Sequence, residues 1–218
     1  MKRAAVTPPM PTPLKYDPDV AIERLSAVDE KLARLIARVG PFAMPTRETM
    51  SPFQMLLHAI VYQQITGKAA ASIHARLLAL FPGGKPGPRR MQKLSDEALR
   101  AAGMSRPKQR AARDLADKAL DGTVPTRRQL ERMDDDAIIA RLVRIRGIGQ
   151  WSAEMMLIFQ LGRPDILPVT DLGVRKGFQL SHGGAELPEP KKLLRYGERW
   201  RPYRSVAAWY LWQANYLP

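Results

Sequence analysis

The chain has 218 residues, 45% of them hydrophobic, no cysteine, and 35 Lys and Arg against 21 Asp and Glu, a formal charge of +14. That excess of cations points to a polyanionic partner, with nucleic acid ahead of an anionic membrane, because no run approaches the roughly 18 apolar residues of a spanning helix and the basic residues are scattered along the chain. The lack of cysteine excludes disulfides, thiolate metal sites and cysteine-held iron–sulfur clusters, and the N-terminus lacks the apolar core of a secretory leader, so a cytoplasmic protein is expected, nucleoid-associated if bacterial.

Residues 1–16 read as a flexible proline-rich arm and 17–218 as one helical domain. Helical spacing of apolar residues recurs over 18–38, 52–65, 68–81, 95–102, 106–121, 127–132, 135–145, 150–161, 171–180, 190–199 and 203–214. No stretch alternates with a period of two, so the predicted fold is all-α. Breakers separate the segments, chiefly PGGKPGP at 82–88 and Gly183-Gly184 followed by Pro188 and Pro190. Neither is long enough to link independent domains, and no fixed-period repeat suggests a solenoid.

The segment DDDAIIARLVRI at 134–145 opens with acidic residues suited to a helix N-terminus and sets Ile138, Leu142 and Ile145, with Ile139 and Val143, on one face. It meets Arg146-Gly147-Ile148-Gly149, within a predicted helical hairpin spanning 134–161. Gly147 can end the first helix in a left-handed conformation, and Gly149 can let the second begin with exposed amides. Those amides, near Gly149 and Trp151, suit a phosphate oxygen and would grip a nucleic-acid backbone without reading sequence. Ile148 can anchor the turn in apolar surroundings. Taken alone, a GxG of this kind is more often a plain helix corner.

It is not alone here. Leu142, Ile145, Gly147, Ile148, Gly149, Trp151, Ser152 and Ala153 form a pattern that resembles the helix-hairpin-helix of the DNA glycosylase superfamily. ILPVTDLGVRKGF at 166–178 is similar to the segment that carries that superfamily's catalytic aspartate. HAIVYQQITGKAA at 58–70 and ERWRPYRSVAAWYLW at 198–212 resemble the groove-probing helix and the C-terminal signature of the 3-methyladenine DNA glycosylase II family, with AGMSRPKQRAARDLA between them. The resemblance covers residues 45–215 and is to the short, all-helical form, since too few residues precede the first motif for the N-terminal β domain of larger members.

The resemblance implies two helical subdomains flanking an active-site cleft. It also implies a monofunctional enzyme that flips alkylated bases such as N3-methyladenine out of duplex DNA, hydrolyses the glycosidic bond and leaves an abasic site. Asp171 is then the catalytic carboxylate, although an aspartate so placed is more commonly only an N-cap. Trp151 and Trp212 match the base-pocket tryptophans, with Phe53, Met155 and Tyr210, and also Trp209, as further candidates; most helical tryptophans instead pack in a core. Met155 stands where larger relatives have an aromatic residue, and a thioether cannot stack as a ring does. Gln64 matches the wedge that fills the gap left by the flipped base, while Gln63 orients the loop or touches the opposite base.

Thr66, Gly67 and Lys68 offer groups for flanking phosphates, beside the hairpin amides of Gly147, Gly149 and Trp151. No cofactor is required, and main-chain oxygens of Val143, Ile145 and Ile148 match a structural Na or K site. His58, His74 and His182 read as helix-face or loop residues. Strand-cutting members carry a lysine where this chain has Trp151, so no lyase step is expected. The expected partner is double-stranded DNA containing alkylated bases, bound by a monomer away from membranes. Two other readings remain, a non-catalytic helix-hairpin-helix module and an enzyme of the same fold for oxidised or deaminated bases.

Overall fold

A computed structural model describes residues 14, 16–44 and 50–218. The arm expected over 1–16 lies outside the described residues except for Leu14 and Tyr16, and both pack on the core, the Tyr16 ring 6.1 Å from that of Tyr203. Among the described residues all regular structure is helical: α1 Pro18–Val28, α2 Glu30–Val39, α3 Pro52–Tyr62, α4 Gly67–Leu78, α5 Pro88–Lys93, α6 Asp96–Ala101, α7 Arg106–Leu120, α8 Arg127–Leu130, α9 Asp135–Leu142, α10 Gln150–Phe159, α11 Leu172–His182, α12 Pro190–Gly197 and α13 Arg204–Ala214. None is long and apolar enough to cross a membrane.

The helices pack as two groups. One joins the chain's beginning and end, with α2 and α11 against α13 and α1 against α2; in the other α3 packs on α4, α7 and α10, while α9 pairs with α10 and α5 with α7. α3 and α13 are apolar almost all round, so they fill the interior rather than line its edge. The loop from α10 to α11 carries the chain between the groups and delivers Asp171 to the junction.

Three predicted elements differ. The single helix expected over 18–38 is two, because Asp29 turns to extended backbone (φ −148°, ψ 99°) and its carboxylate accepts the amides of Lys31 and Leu32 to start α2. The helix expected over 52–65 stops at Tyr62, and Thr66 restarts the chain by accepting the Ala69 amide. Residues after the 82–88 loop form α5, for which Pro88 is pre-set at the first helical position. On α9, Ile138 and Leu142 are buried, as is Ile145 just beyond, but Val143 is 42% exposed and does not share their face.

Asp29 also ties the first helical group together. Its Oδ2 accepts Trp200 Nε1 at 2.9 Å and pairs with His182 Nε2 at 3.2 Å, and Lys31 Nζ donates to the His182 carbonyl at 2.6 Å. His182 is therefore a buried cross-link, 7% exposed and stacked on Phe178, rather than a surface residue. Burial by itself would raise the Asp29 carboxyl, but hydrogen bonds from His182, the Leu32 amide and Trp200 outweigh it and hold the group well below the usual carboxylate range.

A depressed folded value means stability that is present above the ordinary carboxylate value and is lost as pH falls through the folded one. Asp29→Ala leaves an indole and an imidazole buried without their acceptor, so it is expected to cost about 3–5 kcal/mol at pH 7. Urea unfolding checks this, and the gap between variant and wild type should narrow only in strong acid.

Candidate active site

Asp171 is the N-cap of α11, where its Oδ1 accepts the Val174 amide at 2.8 Å. The same oxygen accepts Trp212 Nε1 at 2.8 Å, and Oδ2 accepts Trp151 Nε1 at 2.7 Å. The N-cap bond and the two indole bonds thus meet on one carboxylate. Its three donors are an amide and two indoles, all neutral, and together they hold the carboxylate in orientation.

Close packing of α11 on α13 makes this possible. A Cβ on Gly177 would lie 1.8 Å from the Leu211 carbonyl oxygen, and one on Gly173 would lie 2.9 Å from Trp212 Cδ1 and 3.1 Å from Asp171 Oδ1. Both glycines were visible in DLGVRKGF, yet their role is apparent only when the facing helix is known. Asn215 Nδ2 adds a bond from the end of α13 to the Gly173 carbonyl at 3.0 Å.

A cavity of about 580 Å³ lies between α3 and α10, joined to the carboxylate through Trp151, and is within the usual range for a small-molecule site. Trp151 and Met155 line it, as predicted positions, together with His58, predicted only as a helix-face or loop residue, and Tyr62, Met156 and Phe159, which the sequence did not single out. Its wall is mostly apolar. Trp151 is 43% exposed, with one edge tied to Asp171. His58 stacks on Tyr62 with ring centroids 3.9 Å apart and meets His74 edge-on.

The remaining pocket candidates stand elsewhere. Trp212 is partly buried behind Phe159, stacked on it at 5.6 Å, so Phe159 takes the wall position and Trp212 supports the carboxylate. Phe53 and Trp209 are buried in the core, Trp209 against Phe42. Tyr210 is fully buried and donates its hydroxyl to the Gly40 carbonyl at 3.1 Å, so its ring belongs to the core and not to the cavity.

Gln64 lies at the cavity rim and is the one described non-glycine residue at positive φ, 57°. A left-handed glutamine is held there at some conformational cost, a condition common where a side chain must be presented to a partner. Gln63 donates from Nε2 to the Gly147 carbonyl at 2.7 Å and so orients the loop. Thr66 caps α4, and Gly67 and Lys68 are exposed at its first turn.

In the hairpin Gly147 has φ 79°, Ile148 is buried, and Gly149 is the N-cap of α10 without a side-chain cap bond. The first amides of α10 therefore open to an exposed, basic surface flanked by Arg144 and Arg146. Val143, Ile145 and Ile148 line one shallow open dish there with Asp114, and the Ile145 oxygen already accepts the Ile148 amide. No group of three or more His, Asp or Glu able to hold a metal ion occurs among the described residues.

Glu154, one turn along α10 from Gln150, is 4% exposed. Its Oε1 accepts Gln150 Nε2 at 2.9 Å, and its buried Oε2 has no hydrogen-bond partner. Burial pushes this carboxyl up from its ordinary value, with Gln150 opposing and the Asp171 charge reinforcing the shift.

Comparison with known proteins places these features in a family. The family model for HhH-GPD superfamily base excision DNA repair proteins matches residues 57–202. DNA-3-methyladenine glycosylase 1 of Schizosaccharomyces pombe is 36% identical over 196 residues, covering 88% of this chain and 86% of that protein. The structure of the S. pombe 3-methyladenine DNA glycosylase in complex with abasic DNA superposes with a TM-score of 0.82 at 34% identity, covering 91% of this chain and 97% of that one. A DNA-3-methyladenine glycosidase from Bacillus halodurans gives 0.81 at 37% identity, over 89% of this chain and 88% of that one.

The burial of Glu154 has a consequence for stability. A raised folded value means that stability is lost as pH rises above the ordinary carboxylate value, because ionisation is harder in the folded chain. Glu154→Gln, of the same shape without the charge, is expected to melt above wild type at pH 8, with the difference closing toward about pH 4. Thermal unfolding across that range checks it, and a variant no more stable than wild type at pH 8 would contradict the assignment.

Proposed function

The chain belongs to the HhH-GPD superfamily of base excision DNA repair proteins, and we propose that Asp171, the α3–α10 cavity and the loop at Gln64 together excise alkylated bases by hydrolysis alone. It is a DNA glycosylase of base excision repair that removes alkylated bases. The substrate is duplex DNA carrying a lesion such as N3-methyladenine, bound by one copy of the chain in the compartment that holds the DNA. The observation that carries the reading is the carboxylate of Asp171, fixed by three neutral donors at the edge of an apolar cavity whose wall includes the Trp151 ring.

The hairpin amides and the first turn of α4 hold phosphates, which positions the duplex without reading its sequence. Gln64 enters the stack from the minor groove as the target nucleotide swings out, and the base enters the cavity against Trp151. As the glycosidic bond breaks, the sugar gains oxocarbenium character, and the Asp171 anion stabilises that charge more than it stabilises the neutral sugar of the ground state. Water then adds to the sugar carbon, and its proton passes to solvent. A cationic alkylpurine leaves as a neutral base, so the apolar wall needs no strong acid, and an electron-poor ring gains from stacking on the indole.

With Trp151 where strand-cutting relatives keep a lysine, no amine is provided there for a Schiff base, which supports release of an intact abasic strand. The Val143, Ile145 and Ile148 oxygens would hold a Na or K ion at the hairpin dish, adding positive charge near a phosphate.

Asp171→Asn presents one oxygen and one amide nitrogen to two indole donors, so it removes both the charge and one acceptor. Single-turnover release of N3-methyladenine from methylated duplex should fall at least about 100-fold, while affinity for an abasic duplex changes little. Undiminished release would refute the role of Asp171. In the same assay the product strand should stay intact until treated with hot alkali, and borohydride should trap no protein–DNA adduct.

A further inference from the structure

Helix α7 touches both of the elements read above as DNA-contacting, and the inference rests on that reading. Along one face of it, three residues apart, lie Lys108, Ala111 and Asp114. Lys108 Nζ donates to the Val61 carbonyl at 2.6 Å, at the end of α3 where the Gln63–Gln64 loop begins. Asp114 Oδ2 accepts the Arg146 amide at 2.7 Å, one residue before the hairpin glycine. Between them the Ala111 methyl lies 3.2 Å from where a Cβ on Gly147 would be. Gln63 closes the circuit with its bond to the Gly147 carbonyl.

The geometry points to α7 as a brace that sets the distance between the wedge loop and the phosphate-binding hairpin, with Lys108 a positioning residue for base extrusion rather than a DNA contact. Six residues of helix span about 9 Å of rigid length. A wedge can keep a base out of the stack only if the loop carrying it does not yield when the duplex pushes back. Its thrust must therefore be borne by whatever grips the phosphates.

Lys108 suits the load-bearing end. The last carbonyls of a helix lack intrahelical partners and carry its negative pole, so an ammonium there is held by both a hydrogen bond and the dipole. Lys108 is half-buried, and burial pushes its ammonium down from the ordinary value. A phosphate-gripping lysine would have no need to incur that desolvation. The left-handed backbone at Gln64, three residues past the bonded carbonyl, is the conformation the brace maintains.

Lys108→Met keeps the stem and removes the charge, and Asp114→Asn weakens the other end. For each, excision is compared between a lesion in a normal pair and the same lesion left unpaired, alongside the fluorescence of a 2-aminopurine at the target position, which reports unstacking. Loss of a hydrogen bond to a charged group predicts about tenfold slower excision of the paired lesion, with at most about a threefold effect on the unpaired one. The 2-aminopurine signal should fall in parallel, and melting temperature and affinity for undamaged duplex should stay near wild type.

Equal losses on paired and unpaired lesions in both variants would overturn the brace. So would a reduction of about one in the salt slope of binding for Lys108→Met, since that marks a phosphate contact. Failure of the excision reading is distinguishable, because wild type would then release no alkylated base from either lesion, whereas the 2-aminopurine signal still decides whether α7 supports extrusion.

Discussion

The anion at Asp171 is the constraint on which the rest of the structure depends. A carboxylate in a partly buried site is usually accommodated by a basic side chain, which would cancel the charge on which the proposed excision relies. Here an amide and two indoles hold the carboxylate by hydrogen bonds instead, and each comes from a different place in the chain. The amide requires that α11 begin at Leu172. One indole requires that α13 come close enough for Trp212 to reach across, hence Gly173 and Gly177. The other requires that α10 begin where it does, hence the Gly147–Gly149 turn.

Several parts of the molecule therefore serve two purposes. The start of α10 turns its amides outward, where the proposed complex sets a phosphate, and its first tryptophan toward both carboxylate and cavity. A displacement of that helix end would disturb backbone grip, base stacking and charge orientation together. Glu154, on the same helix, shows the complementary effect: a second carboxyl close by, given a single donor, is better placed to hold a proton than to compete with Asp171 for donors. The first helical group contributes Asp171 and Trp212 and also rigidity, with Asp29, His182 and Trp200 fastening α2 to α11 and to the chain just before α13.

What the sequence made legible follows from what local rules encode. The hairpin was readable because two glycines, an acidic helix start and a buried apolar triplet are all statements about neighbouring residues. Asp171 was readable as a cap from its position, as its bond from the Val174 amide shows, and as a catalytic residue only from resemblance, on which the proposed excision draws. Facing was harder. α3, α10 and α13 are each buried over most of their surface, so periodicity gave no means of separating a wall residue from a core residue, and Phe53, Trp209 and Tyr210 went to the core while His58 and Phe159 went to the cavity. The break at Asp29 was hidden as well, because the stretch contains no glycine or proline between Val20 and Val39 and the stop is made by a side-chain cap alone.

The α7 stripe marks the limit of such reading. Lys108, Ala111 and Asp114 are an ordinary amphipathic sequence, and a cation, a methyl and an anion at that spacing predict nothing individually. Their meaning lies in three partners, at positions 61, 147 and 146, that are remote along the chain and adjacent in space. A residue that only touches DNA tolerates any scaffold that leaves it exposed. A helix that sets a distance between two elements must instead match both at once, and in the proposed brace this accounts for a half-buried lysine bonded to a carbonyl oxygen in a chain with many exposed cations.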